Sequence, residues 1–193
     1  ATDTGTVGDF ITSDTTLIVS GTNGALAAGE KIQVSSDGTN WFDVTPIDST
    51  HWSYDDTATS HTSSFSYRAR IVDIAGNIGT TASQAITIDT TPPTISGDLA
   101  ITVNNASSVV LTSADFHAVD SNSTAGHLTF TISNPTNGYV ALAATLGTPI
   151  TSFTEADLEA GLVAFVHDGS KTTEATFKVS VTDGSSISAP TTI

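Results

Sequence analysis

The chain has 193 residues, 38% of them apolar, with no cysteine and no methionine; 20 acidic side chains against 5 basic ones give a formal net charge of −15. That charge excludes nucleic-acid backbones and anionic membrane surfaces as partners, since both require clustered lysine and arginine. The missing cysteines exclude disulfide frameworks and thiolate metal centres, and no apolar run approaches the ~20 residues that span a bilayer.

The length suits two domains of roughly 100 residues each, and the apolar fraction suits packed cores. Charged residues make up only 13%. The polar surface is therefore mostly Thr, Ser and Asn, which favour strands and turns over helices. The chain begins at Ala1. It is expected to be a piece of a longer protein or a mature product, so a missing signal peptide carries no information.

In the first half, Thr15–Ser20 is β-branched and apolar, and Gly21–Gly29 reads as a loop. Lys31–Ser35 alternates, with Ile32 and Val34 on one face. Asp37-Gly38 predicts a tight type I′ hairpin, and Trp41–Thr45 is its return strand. Trp52 and Tyr54 share a face of the next strand. Ser64–Val72 sets Phe65, Tyr67, Ala69 and Ile71 against Arg68 and Arg70. Asp73–Asn77 is a turn, and Ser83–Ile88 closes a set of about seven strands, the number of an immunoglobulin-like sandwich.

Thr90-Thr91-Pro92-Pro93 interrupts the pattern as a short, stiff linker. It divides the chain into residues 1–91 and 92–193. In the second half, Leu99–Val103, Val109–Thr112, His127–Ile132, Gly138–Leu142, Leu162–His167, Ala175–Thr182 and Ile187–Ile193 read as strands. Thr154–Ala160 predicts one helical turn, with Thr154 as N-cap, Glu155 and Asp157 at the positive end and Gly161 as the stop. Glu155, Asp157 and Glu159 are expected on its solvated face. The fold class is all-β: two tandem Greek-key sandwiches with one short helical turn.

Several motifs cover nearly all of residues 1–93: Asp3-Thr4-Gly5, Gly8-Asp9-Phe10-Ile11-Thr12, Asp14-Thr15-Thr16, Ala28-Gly29-Glu30-Lys31, Ser36-Asp37-Gly38, Trp52-Ser53-Tyr54, Val72-Asp73-Ile74-Ala75-Gly76-Asn77 and Ile88-Asp89-Thr90-Thr91-Pro92-Pro93. Together they resemble a bacterial immunoglobulin-like repeat of giant surface adhesins. In the second half, Phe153-Thr154-Glu155-Ala156-Asp157-Leu158, Ala160-Gly161, Phe165-Val166-His167-Asp168-Gly169-Ser170 and Val181-Thr182-Asp183-Gly184 resemble a cadherin-like repeat of the chondroitin-sulfate-proteoglycan type. The two resemblances imply a secreted or cell-surface spacer in a large bacterial adhesin of biofilm type, stiffened by calcium between domains.

Calcium takes six to eight oxygen ligands, chiefly carboxylates and carbonyls. In an antiparallel sandwich, alternate loops lie at opposite ends. Strand counting therefore sends Asp55, Asp56, Asp89, Asp120, Asn122 and Asp183 to the linker, and Asp3, Asp73 and Asp168 to the far ends. Asp120-Ser121-Asn122 and Asp183-Gly184 also resemble the calcium-binding loops of cadherin repeats. The alternative for each acid is a turn whose carboxylate satisfies backbone donors.

Other chemistry has weaker support. No histidine pair among His51, His61, His117, His127 and His167 has zinc-site spacing, and no GxSxG elbow is present. The expected molecule is a monomeric structural module, not an enzyme, with calcium as its cofactor and neighbouring domains of the same chain as its partners. The alternative is a glycan- or protein-binding module. In that reading Trp41 is exposed for sugar stacking while Trp52 lies in the core.

Overall fold

A computed structural model describes residues 3–193. The chain separates into two compact units, Ala1–Thr90 and Thr91–Ile193.

The first unit contains β1 (Ile11–Thr12), β2 (Leu17–Thr22), β3 (Lys31–Ser35), β4 (Phe42–Asp43), β5 (Thr45–Pro46), β6 (His51–Asp56), β7 (Phe65–Val72) and β8 (Ile78–Ile88). One sheet runs β1-β8-β7-β3-β4 and the other β2-β6-β5. All pairings are antiparallel except β1 with β8, which is parallel. Alternation decides which side faces in. Ile32 and Val34 of β3 are buried with Leu17, Trp52, Tyr67 and Ile86, whereas Lys31 is exposed. Trp52 therefore belongs to the core. Gly21 sits directly over its ring, where a β-carbon would collide with the indole.

The Asp37-Gly38 turn is wider than a two-residue hairpin, because β3 ends at Ser35 and β4 begins at Phe42. Asp37 Oδ1 accepts from the amides of Thr39 (2.7 Å) and Asn40 (2.8 Å). These bonds, led by the one from Asn40, hold its carboxyl well below the usual carboxylate range. The side chain organises a longer loop in place of a type I′ pair.

The second unit contains β9 (Thr94–Ser96), β10 (Ser108–Val110), β11 (His117–Val119), β12 (Thr129–Thr136), β13 (Gly138–Leu142), β14 (Ser152–Thr154), α1 (Glu155–Glu159), β15 (Val163–His167), β16 (Thr176–Thr182) and β17 (Thr191–Thr192). Its sheets run β14-β12-β16-β17, β10-β15-β13 and β11-β9. In β16, Phe177, Val179 and Val181 are fully buried while Lys178 points out. Opposite them, Phe130 pairs with Val181 and Ile132 with Val179. Phe116, Phe130, Phe153, Phe165 and Phe177 form one aromatic core, with Phe165 stacked on Phe177 at 5.5 Å and Phe153 on Phe130 at 5.0 Å.

Leu99–Val103 is not a strand. Leu99 adopts φ 59°, and its amide donates to the Asp115 carbonyl at 2.8 Å. Ile101 and Val103 still pack on the core, so the apolar pattern was a packing signal without a ladder. α1 forms with a full capping box: Thr154 Oγ1 accepts from the Asp157 amide and the Asp157 carboxylate accepts from the Thr154 amide. Gly161 follows the helix at φ 67°. Glu155, however, is buried at 3% exposure, not solvated.

Candidate metal centre

Each acid's local role follows from its turn. In the first unit, Asp55 follows Tyr54 on β6 and is exposed; its Oδ1 accepts from Thr57 Oγ1 (2.7 Å) and the Thr57 amide (3.0 Å), which lowers its pKa. Asp56 faces the opposite way and is buried at 4%. Its Oδ2 accepts from Tyr67 Oη at 2.8 Å and lies 2.8 Å from His61 Nε2. The His61 ring stacks on Phe65 with centroids 4.0 Å apart, and its amide donates to the Thr15 carbonyl. Asp56 is thus the centre of a buried polar knot that pins the β6–β7 connection. Burial, and then the bond to Asp56, push the Tyr67 phenol far above its ordinary value.

Asp73 is also committed locally. It accepts from the Asn77 side chain (2.8 Å) and from the amides of Asn77 (2.8 Å) and Ala75 (2.9 Å), and its carboxyl is held low chiefly by Asn77. Asp3 Oδ2 accepts from the Gly8 amide at 2.6 Å, whereas its Oδ1 is buried without a hydrogen-bond partner among the described residues. Asp89 is buried at the end of β8, its amide donating to the Thr12 carbonyl at 2.9 Å.

In the second unit, Asp168 is exposed, bonded to Ser170 and thereby lowered in pKa. Asp120 follows β11 and Asp183 follows β16, and their carboxylate oxygens lie within 4.8 Å of each other. One oxygen of each is used for shape. Asp120 Oδ1 accepts from the Asn122 amide (2.8 Å), and Asp183 Oδ1 accepts from the amides of Ser185 and Ser186 (2.6 Å each). Asp183 Oδ2 is buried and has no hydrogen-bond partner among the described residues. A buried carboxylate oxygen without a donor carries a desolvation penalty that a cation would offset. The donor set is all oxygen, as calcium requires. Asn122 lies in the same loop with its side chain exposed.

Residues 93–193 match the family model described as cadherin-like. The chain belongs to the cadherin-like family. Residues 1–90 of this cadherin-like chain match the bacterial Ig-like domain. It is similar to chondroitin sulfate proteoglycan 4 of Mus musculus, 33% identical over 100 residues, and to that of Homo sapiens, 31% identical over 93 residues. Those matches cover 51% and 48% of this chain but 4% of each relative. Among solved structures, the fibronectin(III)-like modules of Clostridium thermocellum CbhA align over 95% of this chain and 85% of theirs, at 13% identity and a TM-score of 0.41.

Two features were not foreseen from the sequence of this cadherin-like chain. One is the Asp56–His61–Tyr67 knot. The other is Glu155, whose Oε2 accepts from the Ala118 amide on β11 at 2.8 Å and so ties the helix to the neighbouring sheet. Burial raises its pKa, opposed by the Ala118 bond. No described helix is long and apolar enough to cross a membrane. Trp41 is half-buried, with Arg70 Cζ 3.8 Å from its ring centroid, so one face of the indole is already covered.

Proposed function

We propose that the chain is an extender segment of a large, repetitive, extracellular surface adhesin, stiffened by calcium at the junction of its two modules and serving to project a distal adhesive domain. The observation that carries this reading is the close Asp120–Asp183 pair with the unpartnered Oδ2 of Asp183. Asp120 and Asp183 would hold the ion. Asp89, which the chain keeps only a few residues from the start of the second module, would add a carboxylate from the first. Asp73 spends both oxygens within its own turn, Asp55 and Asp168 each spend Oδ1 on theirs, and Asp56 spends Oδ2 on Tyr67 and His61. They are better assigned to folding.

The role assigned to calcium is mechanical. It neutralises like charges that would otherwise repel, and it couples two modules through shared ligands. Extracellular modules bind calcium with dissociation constants of about 10⁻⁴–10⁻³ M. At tenfold excess, such a site adds about 1.4 kcal/mol. That is small beside the stability of a domain yet enough to bias one arrangement of a short linker. No catalytic role is assigned. Small-angle scattering in calcium and in chelator tests the stiffening. The proposal expects a narrower distribution of distances in calcium, and identical curves contradict it.

A further inference from the structure

The first sandwich is open along one side. β8 pairs with β7 on one edge, but on the other, among the described residues, it pairs only with the two residues of β1, at Thr87 and Ile88. β2 is the edge strand of the facing sheet. Between these two edges lies a groove of about 440 Å³, whose walls include Leu17, Val19, Tyr67, Ala82, Gln84 and Ile86. Gln84 pairs with Tyr67 and Ala82 with Ala69, so both point to the interior side of the sheet. Both are nonetheless exposed. Interior-facing residues open to solvent lie beside two strand edges that, among the described residues, have no strand partner along most of their length; on β8 the Ala85 carbonyl is held only by the Gln84 side chain (3.0 Å), so the sandwich is open on this side.

The hydrogen-bonding direction is set by the part of the edge that is occupied. The amides of Thr87 and Asp89 donate to the carbonyls of Phe10 and Thr12, each at 2.9 Å. Alternation along the strand turns the amides of Thr81, Ser83 and Ala85 to the same edge. The β7–β8 register is regular from Phe65↔Ile86 to Arg70↔Thr81, so that parity is unbroken. A row of donors and acceptors beside an apolar trough is the arrangement that binds an extended backbone by strand addition.

Two further features describe the guest. Asp3 lines the groove with a buried Oδ1 that has no hydrogen-bond partner among the described residues. Phe10 lies at the rim, 44% exposed and held at φ 61°, an uncommon conformation for a bulky residue. A carboxylate without a donor favours a guest that brings a cation. A net charge of −15 disfavours a second copy of this chain.

We propose that this groove binds an extended segment of another polypeptide as an added strand along β8, with apolar side chains at alternate positions and a lysine or arginine that reaches Asp3. Display of random nonapeptides against the whole chain tests it. Enriched peptides are expected to alternate apolar residues with period two and to carry a basic residue. Binding should fall at least tenfold in Ser83→Pro, which removes one edge donor while sparing the β7 ladder. If that variant does not fold, hydrogen exchange on the native chain replaces it, and bound peptide should protect the amides of Thr81, Ser83 and Ala85. Asp3→Asn should weaken basic peptides selectively. Enrichment without period two, no enrichment, undiminished binding to folded Ser83→Pro, protection elsewhere, or peptide-free dimerisation through this edge would each overturn the proposal.

Discussion

Glu155 sits at the first turn of a five-residue helix, yet it is buried and takes a hydrogen bond from the Ala118 amide at 2.8 Å. Burial raises its folded pKa above the ordinary carboxylate value. A raised carboxylate pKa means that the folded state holds its proton longer than the unfolded chain does. Below the unfolded value, both states are protonated and the site is neutral in effect. As pH rises from the unfolded value through the raised folded value, the cost of burying the charge appears, and it persists at neutral pH. Glu155→Gln is therefore expected to melt higher than the native chain at pH 7 and equally at pH 3, measured by thermal denaturation across pH. The reverse trend would show that the ionised carboxylate is the better partner for Ala118. Tyr67 gives a second residue-scale test. Its hydroxyl donates to the buried Asp56 carboxylate at 2.8 Å. Tyr67→Phe removes a charge-assisted bond and is expected to cost about 2 kcal/mol in chemical denaturation of the first unit. An unchanged midpoint would mean that His61 alone satisfies Asp56.

At the scale of elements, strands with strong period-two patterns were legible and short ones were not. Gly138–Leu142 was read to its ends, and Val163–His167 and Thr176–Thr182 to within one residue. Of the four three-residue strands, β10 (Ser108–Val110) overlaps the expected Val109–Thr112, whereas β9, β11 and β14 are too short to carry a period and had no reading, and Leu99–Val103 mimicked a strand. The real signal there was glycine. Gly97 lies at φ 123°, where a β-carbon would sit 2.6 Å from the Asp115 carbonyl and the Phe116 α-carbon. Both neighbours are backbone and cannot rotate away. Gly97→Ala is expected to destabilise the second unit by more than about 1 kcal/mol, read as a lower melting temperature. The helix was legible because its cap, acidic first turn and stop glycine all stand in the sequence. The burial of Glu155 was not, because it depends on β11, which only the fold brings near. The carboxylates show the same limit. A turn Asp such as Asp73 and one left with a spare oxygen such as Asp183 look alike until their donors are in place.

The two units of the molecule differ in how much they bury. The cadherin-like unit has a continuous core of fourteen buried residues, five of them phenylalanines, whereas the Ig-like unit has a core of six and an open side. Phe177→Ala, at full burial between Phe116 and Phe165, is expected to cost about 3–5 kcal/mol. Its effect should be confined to the transition of the second unit in calorimetric unfolding. The account of the whole chain rests on calcium held by Asp120 and Asp183 with help from Asp89. Isothermal titration of calcium into the native chain, and into Asp120→Asn/Asp183→Asn and Asp89→Asn, tests it most directly. The account predicts binding in the range of about 10⁻⁴–10⁻³ M, abolished in the double variant and weakened in Asp89→Asn. Equal calcium binding by all three chains would contradict it.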